Sequence, residues 1–245
     1  LPGRREVREN LAGPPLRRLA GEGENIMNKK AVVLLSGGLD STTVLYYAIK
    51  RGYKCECVLF DYGQRHKKEL NSAVRIAKKT GCKYRVVKIS LPWSASSLTD
   101  SGRKIPNNTK LSAVSNLQLV NSSLPTTYVP GRNTIFISFA LSFAEAIKAG
   151  TIFIGANAVD FSGYPDCRPK YYQAWNRLLK SLGLKISIAV PLIKLDKAQI
   201  VRLGSQLGVP FELTWSCYKG GPKPCGVCDS CRFREKGFRE AKISV

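Results

Sequence analysis

Acidic side chains are scarce in this 245-residue chain: 17 Asp and Glu stand against 39 Lys and Arg, a formal net charge of +22. A surface this basic favours polyanions such as nucleotides, nucleic acid or anionic lipid. It suits a merely well-solvated surface equally, because net charge fixes neither fold nor substrate. Long apolar runs are also missing. A membrane span needs about 20 consecutive apolar residues, and the greasiest stretch, 135–144, is half that length and contains serine. No apolar core of a secretory signal is evident. The hydrophobic fraction of 44% and charged fraction of 23% are ordinary, which excludes wholesale disorder, a collagenous fibre and a coiled coil. Methionine occurs once, as Met27, directly before an apolar stretch. Residues 1–26 are rich in Gly, Pro, Arg and Glu and hold no apolar period. They are expected to be a disordered or artefactual extension, with translation starting at Met27.

Beyond Met27, apolar runs and helical patterns alternate. Strands are predicted over 31–35, 55–61, 84–89, 151–156 and 186–192, and helices over 40–50, 68–80, 133–149, 169–182 and 196–207. The run at 31–35 is apolar throughout, as in a strand buried on both faces. The helix over 133–149 looks buried, with Asn133 as a plausible cap and Gly150 at its end. Asp196 and Gln199 form a capping-box pattern. Residues 91–130 are irregular and rich in Ser, Asn and Thr, a length that points to a functional or mobile segment. The alternation predicts an α/β fold with a doubly wound parallel sheet over 27–212. A cysteine-rich module over 213–245 follows as an appendage.

Between the first strand and first helix lies Ser36-Gly37-Gly38-Leu39-Asp40-Ser41. The glycines allow a tight turn and close backbone approach to a ligand. A helix N-terminus offers unpaired N–H groups and partial positive charge. The hydroxyls of Ser36, Ser41 and Thr42 add donors. The loop is therefore a cradle for phosphate, and it is neither a Walker loop nor a GxGxxG turn.

Further polar clusters follow predicted strands, where open α/β sheets bind ligands. Phe60-Asp61-Tyr62-Gly63-Gln64-Arg65-His66 contains the only histidine. In 129–133, Arg132 is suited to a phosphate or carboxylate. In 160–168, Asp160 and Asp166 can accept from the N–H edge of a purine-like ring, and Phe161 or Tyr164 can stack on it. Cys167 is a nucleophile candidate by residue type, but a thiol without an evident base is a weak one.

Cys217, Cys225, Cys228 and Cys231 crowd into 15 residues. Paired CxxC steps suit a metal in a reducing cytosol better than disulfides. Four soft ligands read as structural zinc, with an iron–sulfur cluster as the rival. The nearby Lys219, Lys223, Arg232, Arg234 and Lys236 read as a solvated basic rim. Cys55 and Cys57 share one face of a strand and are expected in the core, with Cys82 structural as well.

The segments SGGLDSTT, FDYGQRH, VPGRN, DFSGYPDCR and CGVCDSCR, in this order, closely resemble the QueC family of the PP-loop N-type ATP pyrophosphatases. The resemblance runs from Met27 to near the C-terminus. It implies an adenine-nucleotide alpha-hydrolase-like fold and a cytoplasmic ligase, with a homodimer as the assembly. The implied reaction converts 7-carboxy-7-deazaguanine, ammonia and ATP into the 7-cyano compound, with magnesium on the phosphates and one zinc per chain. ATP would lie on Leu35, Ser36, Gly37, Gly38, Leu39, Asp40, Ser41, Thr42, Thr43, Val44 and Leu45. Asp40, Arg65 and Arg132 would be catalytic. Gln64, Arg132, Asn133, Asp160, Tyr164, Asp166 and Arg168 would hold the deazaguanine. The alternative is a PP-loop tRNA-modifying enzyme of thiolase or lysidine-synthase type, for which the basic surface argues. The substrate-loop motif at 160–168 does not match those families, so nucleic acid is not required.

Overall fold

A computed structural model describes residues 29–92, 96–100, 102–107, 124–158 and 164–244. The expected extension at 1–26, together with Met27, Asp160 and Phe161, lies outside these described residues.

The elements follow in the order β1 (Lys30–Leu34), α1 (Leu39–Lys50), β2 (Lys54–Asp61), α2 (Lys68–Lys79), β3 (Lys83–Lys88), α3 (Arg132–Ile147), β4 (Thr151–Ile154), α4 (Pro169–Ser181), β5 (Ser187–Ala189), α5 (Lys197–Gln206) and α6 (Asp229–Ala241). The sheet order is β3-β2-β1-β4-β5, and every pairing is parallel. Alternate side chains of each inner strand enter opposite layers, because successive residues point to opposite faces. Ala31 and Val33, with Cys55, Cys57 and Leu59, pack under α1, α2, α5 and α6. Val32, Val58, Ile152 and Ile154 pack under α3 and α4. Val32 and Val33 are both fully buried, and each side chain contributes about 1.5–3 kcal/mol. β3 is an exposed edge guarded by Lys83, Arg85 and Lys88, charges that discourage pairing with another chain.

The predicted doubly wound sheet is present, and Cys55 and Cys57 share the core as expected. Several expectations give way. α3 is apolar on all sides, yet only Ile137, Ala140 and Ala144 are fully buried. A helix buries only the face that meets its sheet, and Phe139 on the outer face is 43% exposed. Asn133 does not cap α3, because the cap is Gly131 at φ 64° and Asn133 stands inside the first turn. The helix ends on Lys148 in the left-handed region rather than on Gly150. The expected capping box of Asp196 and Gln199 is complete.

The C-terminal module is built into the main body. Ala241 is buried in the same cluster as α1, with Phe238 and Ile243 packed against it. The rings of Phe211 and Phe238 meet edge to face at 5.0 Å. α6 has no counterpart in the sequence expectations, since the cysteine spacing conceals its charged, weakly apolar pattern. Among the described residues, no helix is long and apolar enough to cross a membrane.

Candidate active site

The winding direction reverses between β1 and β4, and this is where open α/β sheets form ligand crevices. A cavity of about 280 Å³ opens there. Its floor is the glycine-rich turn, which contributes Leu35, Ser36, Gly38, Leu39, Asp40 and Ser41. α1 starts from Gly38, whose backbone is extended, without a side-chain cap. The first N–H groups of α1 are thus available to an anion. Gly37 has φ 86°, and a Cβ there would lie 2.3 Å from the Glu69 carbonyl oxygen and 2.5 Å from the Ala73 nitrogen. Only glycine lets this turn rest on α2. Gly155, beyond β4, has the same need, because a Cβ would lie 2.7 Å from Ser41 Cα.

The hydroxyls behind the turn have structural work. Ser36 Oγ accepts from the Gly38 N–H at 3.3 Å and lies 3.0 Å from Ser41 Oγ. Thr42 Oγ1 donates to the Gly38 carbonyl at 2.7 Å, and Thr43 Oγ1 to the Leu39 carbonyl at 2.9 Å. Thr42, Thr43, Val44 and Leu45 are fully buried. They do not line the cavity, whose share of this segment ends at Ser41. Helical rotation of roughly 100° per residue turns the later positions into the core.

Asp40 meets a cation that sequence reasoning missed. Lys197 Nζ donates to both Asp40 carboxylate oxygens at 2.9 Å. The side chains are only 10% and 17% exposed. Lys197 is the first residue of α5, 157 positions away in sequence. No local pattern distinguishes it from an ordinary helix lysine. Arg234 also belongs here rather than to a solvated rim. It lines the cavity while donating to Thr214 Oγ1 at 2.7 Å and the Phe211 carbonyl at 2.9 Å.

The cavity wall is aromatic and basic. Phe60 and Phe136 stack at 3.9 Å between centroids, and both line it with Tyr62, Asn133 and Tyr164. Arg132 donates to the Tyr62 hydroxyl at 3.4 Å and lies over its ring. Burial works against the Arg132 charge, but Tyr62, Tyr164 and Asp166 outweigh it and hold its pKa above the ordinary value. Arg65 lines the cavity too, and its Nη1 donates to the carbonyls of Ser97 at 3.3 Å and Arg103 at 3.0 Å. Gln64 folds back on its own turn. Its Oε1 accepts from the Tyr62 N–H at 2.8 Å and its Nε2 donates to the Phe60 carbonyl at 3.1 Å.

The remaining expected substrate residues divide. The Tyr164 hydroxyl lies 2.6 Å from Thr127 Oγ1, inside the site. Asp166 is buried but does not line the cavity. Burial raises its pKa, opposed by Arg132 and by bonds from Asn133. Arg168 is half-buried and caps α4 by its backbone, outside the cavity lining. Cys167 lines the cavity, but burial and Asp166 push its thiol up to about 12. At neutral pH it is a thiol and not a nucleophile.

The Sγ atoms of Cys217, Cys225, Cys228 and Cys231 all lie within 4.8 Å of one another. Tetrahedral zinc with Zn–S near 2.3 Å requires Sγ atoms about 3.8 Å apart, and Cys225 and Cys231 are 4.0 Å apart. The backbone N–H of Cys225 donates to Cys217 Sγ and that of Cys228 to Cys225 Sγ, both at 3.4 Å. Burial raises the Cys225 pKa, but the N–H groups of Val227 and Cys228 reverse this and bring it down to about 6. Four sulfurs preset around one centre fit a tetrahedral metal ion. This cluster carries a wall of the cavity, since Ser216, Tyr218 and Ser230 lie between and beside its ligands.

Lys197→Ala leaves the Asp40 carboxylate buried without its ammonium. Breaking such a pair should cost about 3 kcal/mol, read as a lowered midpoint in chemical denaturation. An unchanged midpoint would show that the pair contributes nothing to the fold.

The profile of the family described as "Queuosine biosynthesis protein QueC" matches residues 30–242. A relative from Thermoplasma acidophilum, named 7-cyano-7-deazaguanine synthase, is 51% identical, covering 87% of this chain and 89% of its own. One of the same name from Nostoc punctiforme is 51% identical over 86% of this chain and 95% of its own. Another of that name, from Trichodesmium erythraeum, is 49% identical over 88% and 98%. A glycine-rich turn at a sheet's reversal point, walled by a four-cysteine cluster and matched over nearly its whole length, identifies the chain as a member of the QueC family.

Proposed function

We propose that this chain is an ATP-dependent ligase that converts 7-carboxy-7-deazaguanine and ammonia to 7-cyano-7-deazaguanine, a precursor in queuosine and archaeosine biosynthesis. The observation that carries this is the uncapped start of α1 sharing one cavity with Arg132 and an aromatic wall. An anion-binding floor next to a guanidinium and flat apolar surfaces suits a nucleotide and an acidic heterocycle together.

The chemistry explains the need for ATP. A carboxylate is a poor electrophile because its leaving group would be oxide. Its oxygen attacks the α-phosphorus of ATP, pyrophosphate leaves, and the oxygen becomes part of a good leaving group. Ammonia then displaces AMP to give the amide. The amide oxygen sits on the same carbon, so the same floor can adenylate it again, and its loss yields the nitrile. The N–H groups of α1 and the turn hold phosphate, and Asp40, kept in place by Lys197, would offer magnesium the carboxylate lone pairs that the ammonium leaves open. Magnesium would screen the phosphate charge. Arg132 and Arg65 stabilise charge at the activated carboxyl. Tyr164, Asn133 and the Phe60–Phe136 wall hold the heterocycle. Asp166 acts from behind by orienting Asn133 and Arg132.

We assign the four-cysteine cluster to zinc rather than iron–sulfur, as a structural ion. Reduced thiols throughout the chain suit the cytoplasm. We also infer a homodimer through the outer faces of α3 and α4. Phe139, Leu178 and Leu182 are 43%, 46% and 60% exposed there. A segment of α3 spanning 135–144 carries no charge in a chain of net +22, so two copies can meet on it without repulsion.

Mass spectrometry of protein incubated with the acid, ammonium and magnesium-ATP should detect the nitrile only when all components are present. An acid left unchanged by folded, ATP-binding protein would overturn the substrate assignment. Elemental analysis should find one zinc per chain, and its chelation should lower the melting temperature. An apoprotein of full stability would contradict a structural ion. Light scattering should give twice the 27.0 kDa chain mass, and Phe139→Lys with Leu182→Lys should give the monomer. A wild-type monomer would remove the dimer.

A further inference from the structure

Among the described residues lining the cavity, the only carboxylates are Asp40 and Glu69. Asp40 is taken by the Lys197 ammonium on both oxygens. Glu69 has no role in the reaction as set out so far. It stands in the first turn of α2, and its Oε1 is 3.5 Å from where a Cβ on Gly38 would be. The carboxylate therefore borders the phosphate turn itself. The Ser36 hydroxyl donates to it.

Other groups face Glu69 from each neighbouring element. Arg132 comes from α3, Tyr62 from the turn after β2, and Tyr218 from the C-terminal segment. Arg65 and His66 line the same cavity on the approach to α2, with the Asp40–Lys197 pair on the floor and Arg234 from α6. Cations are plentiful in this set, and a carboxylate free to take up a proton is not.

The reaction demands such a group. Ammonia has three hydrogens and the nitrile nitrogen has none, so three protons must leave one atom. We propose that Glu69 is the proton acceptor for this nitrogen, during amide formation and again during nitrile formation. The inference rests on the reaction proposed above. In the first round, the ammonia lone pair forms the C–N bond and one nitrogen proton passes to Glu69. The C–O bond to the adenylyl group breaks, and its electron pair leaves with AMP. In the second, the amide oxygen bonds to the α-phosphorus of another ATP and expels pyrophosphate. Loss of AMP with the C–O electrons then accompanies loss of the two remaining nitrogen protons. Glu69 accepts them in turn and releases each to solvent.

Burial suits Glu69 to this work. It pushes the carboxyl up to about 7, against the opposing pull of Arg132 and the Ser36 bond. Such a group gains and loses a proton near neutrality, where a base is most effective. The deprotonated form is required, so the rate of C–N bond formation should fall as pH drops through about 7.

Glu69→Gln keeps the shape and removes the basicity. Its folded-state pKa lies above the ordinary 4.5, so the buried charge opposes folding at higher pH, and the neutral variant should melt no lower than wild type at alkaline pH. Two activities separate the roles. Acid-dependent ATP–pyrophosphate exchange, with ammonium omitted, reads carboxylate activation and should stay within about threefold of wild type. Nitrile formation at neutral pH with saturating ammonium should fall on the order of 10²–10⁴-fold and lose its inflection near pH 7. Glu69→Asp should retain an inflection at intermediate rate. Wild-type nitrile rates in Glu69→Gln would overturn the assignment. Exchange and nitrile formation falling together would overturn it too, by showing a supporting role only. Wild-type protein without any exchange would instead overturn the underlying reaction, and this step with it.

Discussion

A buried ammonium has to be met by a carboxylate, and the pairing of Lys197 with Asp40 imposes that condition on the whole site. Desolvating both charges costs more than a surface pair could return, so the geometry must be tight. Both carboxylate oxygens are engaged at 2.9 Å. The pair brings the start of α5 over the start of α1. It also dictates what α6 is made of at one point: a Cβ on Gly237 would lie 2.4 Å from Lys197 Cγ. Three helices therefore converge on one carboxylate at the glycine-rich turn.

The cysteine cluster acts on the same place from the other side. The Trp215 backbone N–H donates to the Gly37 carbonyl at 2.9 Å, and its indole N–H donates to the Cys217 carbonyl at 2.9 Å. The Lys68 ammonium lies 4.8 Å from the centre of the Trp215 ring. His66 occupies the space that a side chain on Gly220 would need. The segment that carries the ligands is thus stitched to the glycine-rich turn and to the approach to α2. A short, polar stretch with few buried apolar side chains has little hydrophobic burial to hold it in place. Four sulfurs within 4.8 Å of one another are placed to supply, around a metal ion, what apolar area does not.

Charge is graded across the cavity. Its floor offers backbone N–H groups and a neutralised ion pair. One wall holds Arg132 and Arg65, and the C-terminal wall holds Arg234. Partial burial strengthens interactions with an anion placed there. It also raises the pKa of Glu69, against the pull of Arg132 and the Ser36 bond. The basic surface and the basic site are separate matters: the first concerns solubility and encounter, the second the field inside the cavity at close range.

Much of this was legible before folding. The apolar run of β1 followed by two glycines and a helical pattern sufficed to locate the glycine-rich turn at the cavity floor, because strand burial, tight turning and helix initiation each leave local marks. The crowding of Cys217, Cys225, Cys228 and Cys231 did the same for the sulfur cluster. Local marks say less where a helix has more than one face. Thr42, Thr43, Val44 and Leu45 continue the glycine-rich motif in sequence but are buried and do not line the cavity. α3 reads as a buried helix and leaves one side open. Long-range pairing left no mark at all: Lys197, Arg234 and Glu69 look like surface charges on amphipathic helices. The parallel sheet, its glycine-rich turn and its four clustered sulfurs follow from residues near one another in the chain, so sequence alone carries them. Which charges face the cavity is a matter of folding, because it depends on how helices far apart in sequence pack on a shared sheet.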